Sequence, residues 1–95
     1  MNNFFNASEE LEFSYIITFR KTTEKLLENL KCVLDWLNSH KKDRKFEIII
    51  VEQDEQKKVN FEDCKNIFVY NKGIYNKSWA LNIGAMNSSS EILVF

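Results

Sequence analysis

The 95-residue chain contains no proline, two glycines, two cysteines and one histidine. Collagen-like, Pro-rich and Gly-linker classes are therefore excluded. Two cysteines and one histidine are too few for a self-contained zinc site. Thirteen basic and fourteen acidic side chains leave a formal net charge of -1. That balance lacks the basic footprint of a nucleic-acid binder, so no nucleic-acid partner is expected, and it lacks the acidic tail of a disordered interactor. No apolar run approaches the roughly 18 residues of a membrane span. Met1 to Phe13 carries no basic n-region and no apolar stretch, so no secretion signal is read. Cys32 and Cys64 then read as reduced thiols, Cys32 in or near the core and Cys64 in a polar connection. The Asn-x-Ser triplets at Asn6, Asn76 and Asn87 read as chance. A cytoplasmic location is expected, or a peripheral one at the inner membrane.

Familiar catalytic signatures are missing as well. No Gly-x-Gly-x-x-Gly follows a strand, and no Walker-type Gly-Lys-Ser/Thr loop exists. There is no serine elbow and no Cys–His pair at usable spacing. His40 lies in the charged stretch His40–Lys45, which reads as a solvated turn.

What is present is enough apolar mass for one small core: 44% hydrophobic residues, with eight Phe. Phe13–Phe19 is β-branched and aromatic almost throughout and predicts a strand buried on both faces. Thr22 or Thr23 can cap a helix running from about Thr23 to Ser39. Leu26, Leu27, Leu30, Val33, Leu34 and Leu37 form its apolar stripe. Phe46–Val51 predicts a second strand, ended by the acid and amide run Glu52–Gln56. Asn66–Asn71 predicts a third, and Lys72-Gly73 a turn. A second helix is read over 77–87, with Trp79, Ala80, Ile83 and Gly84 on one face. Glu91–Phe95 opens a fourth strand.

Strands alternating with helices predict a parallel α/β sheet. Ligands of such sheets bind beyond the carboxyl ends of the strands, where strand order reverses. There Phe19 offers an apolar wall and Arg20 a bidentate cation, Glu52 and Asp54 offer acceptors, and Lys77 a point charge at a helix N-terminus. Together these favour a nucleotide-diphosphate site.

The segment Ser14–Arg20, the Leu-rich helix and Phe46–Gln53 together resemble the N-terminal half of a GT-A glycosyltransferase of the inverting family 2 group, galactosyltransferase-like or chondroitin-polymerase-like. Tyr75–Gly84 resembles the Phe-Asn-Arg-x-x-x-x-Asn-Val-Gly segment of β-1,4-galactosyltransferases, and Thr18-Phe19-Arg20 resembles their Pro-Phe-Arg. The resemblance implies a Rossmann-like parallel sheet with flanking helices, the N-terminal half of a nucleotide-diphospho-sugar transferase domain over 13–95, after an N-terminal extension over 1–12. It implies Thr18, Phe19, Arg20, Glu52, Asp54, Tyr75 and Lys77 as donor-binding residues. It also implies a UDP-sugar donor, a glycan or glycoconjugate acceptor, and Mn²⁺ or Mg²⁺ held by an Asp-x-Asp motif beyond Phe95. Neither a catalytic base nor a metal ligand is then expected within the 95 residues, and a fragment so cut is expected to be inactive alone. Lys77 departs from the family's Arg and loses the planar fork; Glu52-Gln53 replaces the more usual Asp-Asp.

Two further readings stay open. One is a small non-catalytic α/β interaction module. The other is a receiver-like domain with Asp54 as phosphoacceptor, whose acidic partners are missing. A fourth strand at an open sheet edge also predicts a dimer formed through that edge.

Overall fold

The computed structural model describes residues 11–95. Its elements are β1 (Phe13–Phe19), α1 (Glu24–Ser39), β2 (Phe46–Asp54), β3 (Lys65–Tyr70), α2 (Lys77–Met86) and β4 (Leu93–Val94). The strands form one parallel sheet in the order β3-β2-β1-β4. The chain is therefore α/β and Rossmann-like, a four-strand parallel sheet flanked by helices. It steps from β1 outward to β3, then returns to the other side of β1, so strand order reverses between β1 and β4. Of the expected 1–12 extension, all but Leu11 and Glu12 lies outside the described residues, as does the Asn6 triplet. Glu12 is docked: its carboxylate accepts from Arg44 Nε at 2.7 Å and from the Lys45 amide at 3.2 Å.

Alternation along the central strand explains the two layers. Phe46, Ile48 and Ile50 face one side and pack with Phe19 against Leu30, Leu34 and Leu37 of α1. Ile49 and Val51 face the other side and pack with Ile16 against Ala80 of α2. A strand with helices on both faces needs an unbroken apolar run, and β2 has one. On the α1 side the connection after β2 adds Val59, Phe61 and Cys64 to the core. On the α2 side the helix comes close because its contact residues are small. A Cβ on Gly84 would lie 2.5 Å from Ile16 Cγ2.

Four details differ from the sequence reading. β2 does not stop at Val51 but continues to Asp54, pairing with β1 as far as Glu52 and with β3 as far as Asp54. That ladder, with β3 above all, outweighs the polarity of its last three side chains. The α1 stripe is only half used: Leu30, Leu34 and Leu37 are buried, whereas Leu26 and Val33 are each 43% exposed. Only two residues of β4 pair with β1, so the flank of α1 on that side has little sheet to cover. Cys32 lies exposed on the outer surface of α1 instead of in the core, and Cys64 is half-buried. β1 is fully buried only at Ser14, Ile16 and Phe19. No helix among the described residues is long and apolar enough to cross a membrane.

At the amino ends of the strands a second polar cluster ties the layers together. The Glu47 carboxylate accepts from Ser14 Oγ at 2.6 Å and from the Ser89 amide, and lies 3.5 Å from Lys65 Nζ. Lys65 also donates to the Asn87 carbonyl at 2.7 Å.

Candidate functional site

The carboxyl rim of the sheet is built around Arg20, which leaves β1 as the strand ends. Its Nε donates to the Gln53 carbonyl at 2.8 Å, Nη1 to the Gly73 carbonyl at 2.7 Å and Nη2 to the Asn71 carbonyl at 2.8 Å. The guanidinium also lies 5.6 Å from the Tyr75 ring centroid. A guanidinium has five N–H donors. With three used on carbonyls, two remain for an anion, fewer than a cation free to grip a diphosphate would offer.

Beneath it is Gln53, fully buried. Its Oε1 accepts from Asn71 Nδ2 at 2.8 Å and from the Asn76 amide at 2.6 Å, while Nε2 donates to the Asn76 carbonyl at 2.9 Å. Asn76 also caps α2, accepting from the Trp79 amide at 2.9 Å. Sequence reasoning picked out the Glu52-Gln53-Asp54 run but chose its acids. The amide is the organising group, and the signal for it was an uncharged polar residue between two acids at the end of a central strand.

Thr18, Phe19, Arg20 and Tyr75 come together. With Thr22 and Leu26 they line a cavity of 270 Å³ at the end of β1. Phe19 belongs mostly to the α1-side core, at 7% exposure, and gives the cavity only an edge. Burial pushes the Tyr75 phenol above its ordinary pKa, although its hydrogen bond with Thr18 and the nearby Arg20 charge pull the other way. Lys77 does not line this cavity. It borders a neighbouring one of 400 Å³, beside β1 past its last pair with β4, which also takes in Thr18, Leu30, Leu81 and Phe95.

Glu52 and Asp54 share strand parity with Ile48 and Ile50, so they face the α1 side, across the sheet from α2. Glu52 pairs in register with Phe19 and is 2% exposed. Its Oε2 accepts from the Lys58 amide at 2.8 Å, and its Oε1 has no hydrogen-bond partner. Asp54 accepts from the Glu55 amide at 2.7 Å and forms a 3.1 Å ion pair with Lys58 Nζ. Burial alone would raise the Asp54 pKa, but the Glu55 amide, Lys58 and Arg20 outweigh it and hold the carboxyl below its ordinary range. The seven expected residues thus divide among a rim cavity, its neighbour and the polar end of β2, where Glu52 and Asp54 line neither cavity.

Among the described residues no group of three His, Cys, Asp or Glu side chains could hold a metal ion. No chemical step is therefore derived through Mn²⁺ or Mg²⁺. No family model, curated protein or solved structure matches the chain.

Proposed function

We propose that this chain is the donor-binding part of a GT-A-like, family 2-like hexosyltransferase that takes a UDP-sugar and passes the sugar to a hydroxyl of a glycan or glycoconjugate, in polysaccharide or glycoconjugate synthesis. The observation that carries the reading is the 270 Å³ cavity at the carboxyl end of β1, beside the point where strand order reverses. Its lining combines an aromatic ring (Tyr75), apolar surface (Phe19, Leu26), hydroxyls (Thr18, Thr22) and a cation (Arg20). Such a mix suits a nucleoside: a wall for the base and polar groups for its edge. The volume lies near the lower end of ligand pockets, about 300–1,000 Å³, so it takes the nucleoside and not the whole donor. Thr18 lines both this cavity and the one bordered by Lys77. That second space is mostly apolar, so in this reading the diphosphate lies along its border, with the Lys77 ammonium as its counter-charge. The divalent metal, the catalytic base and the transfer step belong to the proposal for a whole enzyme and are assigned to no residue here. A cytoplasmic or inner-membrane-peripheral location belongs to the same reading.

Calorimetric titration of the folded protein with UDP and UDP-sugars tests it. Lys77→Ala is expected to weaken UDP binding by about 1–3 kcal/mol, the scale of a lost charged hydrogen bond, with Tm unchanged. No heat of binding from a protein shown to be folded would sink the assignment.

One observation favours the non-catalytic interaction module instead: Arg20 spends three donors inside the protein. In that reading the chain is a monomer or a defined dimer that melts cooperatively, whereas pairing of copies through the open edge of β1, whose pairing with β4 ends at Tyr15, belongs to the donor-binding fragment. Light scattering across a concentration series and thermal melts decide this point. Marginal stability with concentration-dependent association removes the module.

A further inference from the structure

The connection from β3 to α2, residues 71–76, has almost no hydrophobic anchor. Lys72, Gly73 and Ile74 are exposed, Ile74 at 92%, and only Tyr75 buries part of an apolar side chain. Burial of apolar surface does not hold this segment in place. Its polar groups do. The carbonyls of Asn71 and Gly73 accept from Arg20, that of Ile74 from Asn71 Nδ2 at 2.9 Å, and that of Asn76 from Gln53 Nε2. The amides of Gly73 and Asn76 donate to Asn71 Oδ1, at 2.8 Å, and to Gln53 Oε1. Both ends of the segment therefore meet on one amide side chain, which is itself fixed inside a central strand.

We infer that Gln53 is a positioning residue: with Arg20 it makes residues 71–76 a preformed bracket that presents Tyr75 at the rim before any ligand binds. Three consequences follow from the chemistry of the groups. An amide is required at position 53, because one side chain must accept from two N–H groups and donate to a carbonyl. An ionised carboxylate only accepts, so Gln53→Glu turns an oxygen toward the Asn76 carbonyl. Arg20 is also irreplaceable by Lys, since three carbonyls held by a planar fork cannot all be reached by one ammonium. Finally, Arg20 reaches a ligand through Tyr75 and the bracket more than through its own charge. The benefit to nucleotide binding rests on the reading proposed above; the order of the bracket does not.

Amide hydrogen exchange on the full chain without ligand is the test. In the parent protein the Gly73 and Asn76 amides are expected to be protected although they belong to an exposed connection. In Gln53→Met and in Gln53→Glu at neutral pH, that protection falls by about tenfold or more, the scale of a lost buried hydrogen bond, while the amides of Ile49–Val51 stay protected. In the same variants, on a background with Tyr15 and Tyr70 replaced by Phe, the Tyr75 phenol titrates closer to its ordinary value, a shift that loss of stability elsewhere would not produce. Free exchange of the Gly73 and Asn76 amides in the parent overturns the inference without any variant. So does unchanged exchange in a folded Gln53→Met. Bracket protection together with a failure to bind UDP leaves the inference standing and removes only the nucleotide reading.

Discussion

Gly84 shows how a single residue sets a distance between layers. Its missing Cβ would fall 2.5 Å from Ile16 Cγ2 and 3.3 Å from Val51 Cγ2. Ile16 is β-branched and buried, so it has no free rotamer to retreat into. Gly84→Ala gains about 1 kcal/mol of helix propensity but overpacks a full interior, at about 1–3 kcal/mol. The contact is so short that overpacking wins. Denaturant melts are expected to show a net loss of about 1–2 kcal/mol, and a variant at least as stable as the parent would contradict the close approach. The small residues Ala80, Gly84 and Ala85 were legible in the sequence as a packing face. Arg20 was not legible in the same way. Its position at a strand end was evident, but a side chain whose donors end on the carbonyls of residues 53, 71 and 73 depends on contacts more than thirty positions away. The sequence marks Glu52 as a ligand-facing acceptor, and the fold leaves it 2% exposed with one oxygen lacking a hydrogen-bond partner.

Local signals specify the elements well. Thr23 caps α1, its hydroxyl accepting from the Leu26 amide at 3.1 Å, and Glu24 follows in the first turn. Thr23→Ala should cost about 1 kcal/mol, measurable as a lowered denaturation midpoint with no change in slope. Restoration by Thr23→Ser or Thr23→Asp would show that the cap is responsible, whereas an unaffected midpoint would mean that α1 does not depend on it. Strand ends obey a wider logic. β2 runs three residues past its last apolar side chain because β1 pairs with it as far as Glu52 and β3 as far as Asp54. The α1 stripe illustrates the converse: its spacing correctly announces a helix, yet Leu26 and Val33 remain half in solvent because spacing says nothing about how far the opposing sheet extends.

For the molecule as a whole, acid is the informative perturbation. Burial would raise the Glu47 pKa, but Ser14, the Ser89 amide and Lys65 outweigh it and hold the carboxyl below its ordinary 4.5. Asp54 is held below its ordinary 3.8 for similar reasons. A carboxyl whose pKa is lower in the folded state contributes stability fully above its unfolded value, and that contribution disappears as pH falls through the folded value. Thermal melts should therefore show a plateau near neutral pH and a declining Tm below about pH 4.5. Glu47→Gln should be less stable than the parent at pH 7, with the gap narrowing as the pH drops below 4.5. A gap independent of pH would show that the Glu47 cluster acts through shape and not through charge.

Periodicity and apolar runs were sufficient to specify an alternating α/β chain, a threonine cap on α1 and a parallel sheet, because these follow from interactions between residues close in sequence and from which side chains avoid water. Strand order, the face on which each polar residue emerges and the meeting of Arg20, Gln53 and Asn76 depended on folding in three dimensions. A buried hydrogen bond pairs groups that are distant along the chain, and no local pattern records which distant group will be its partner.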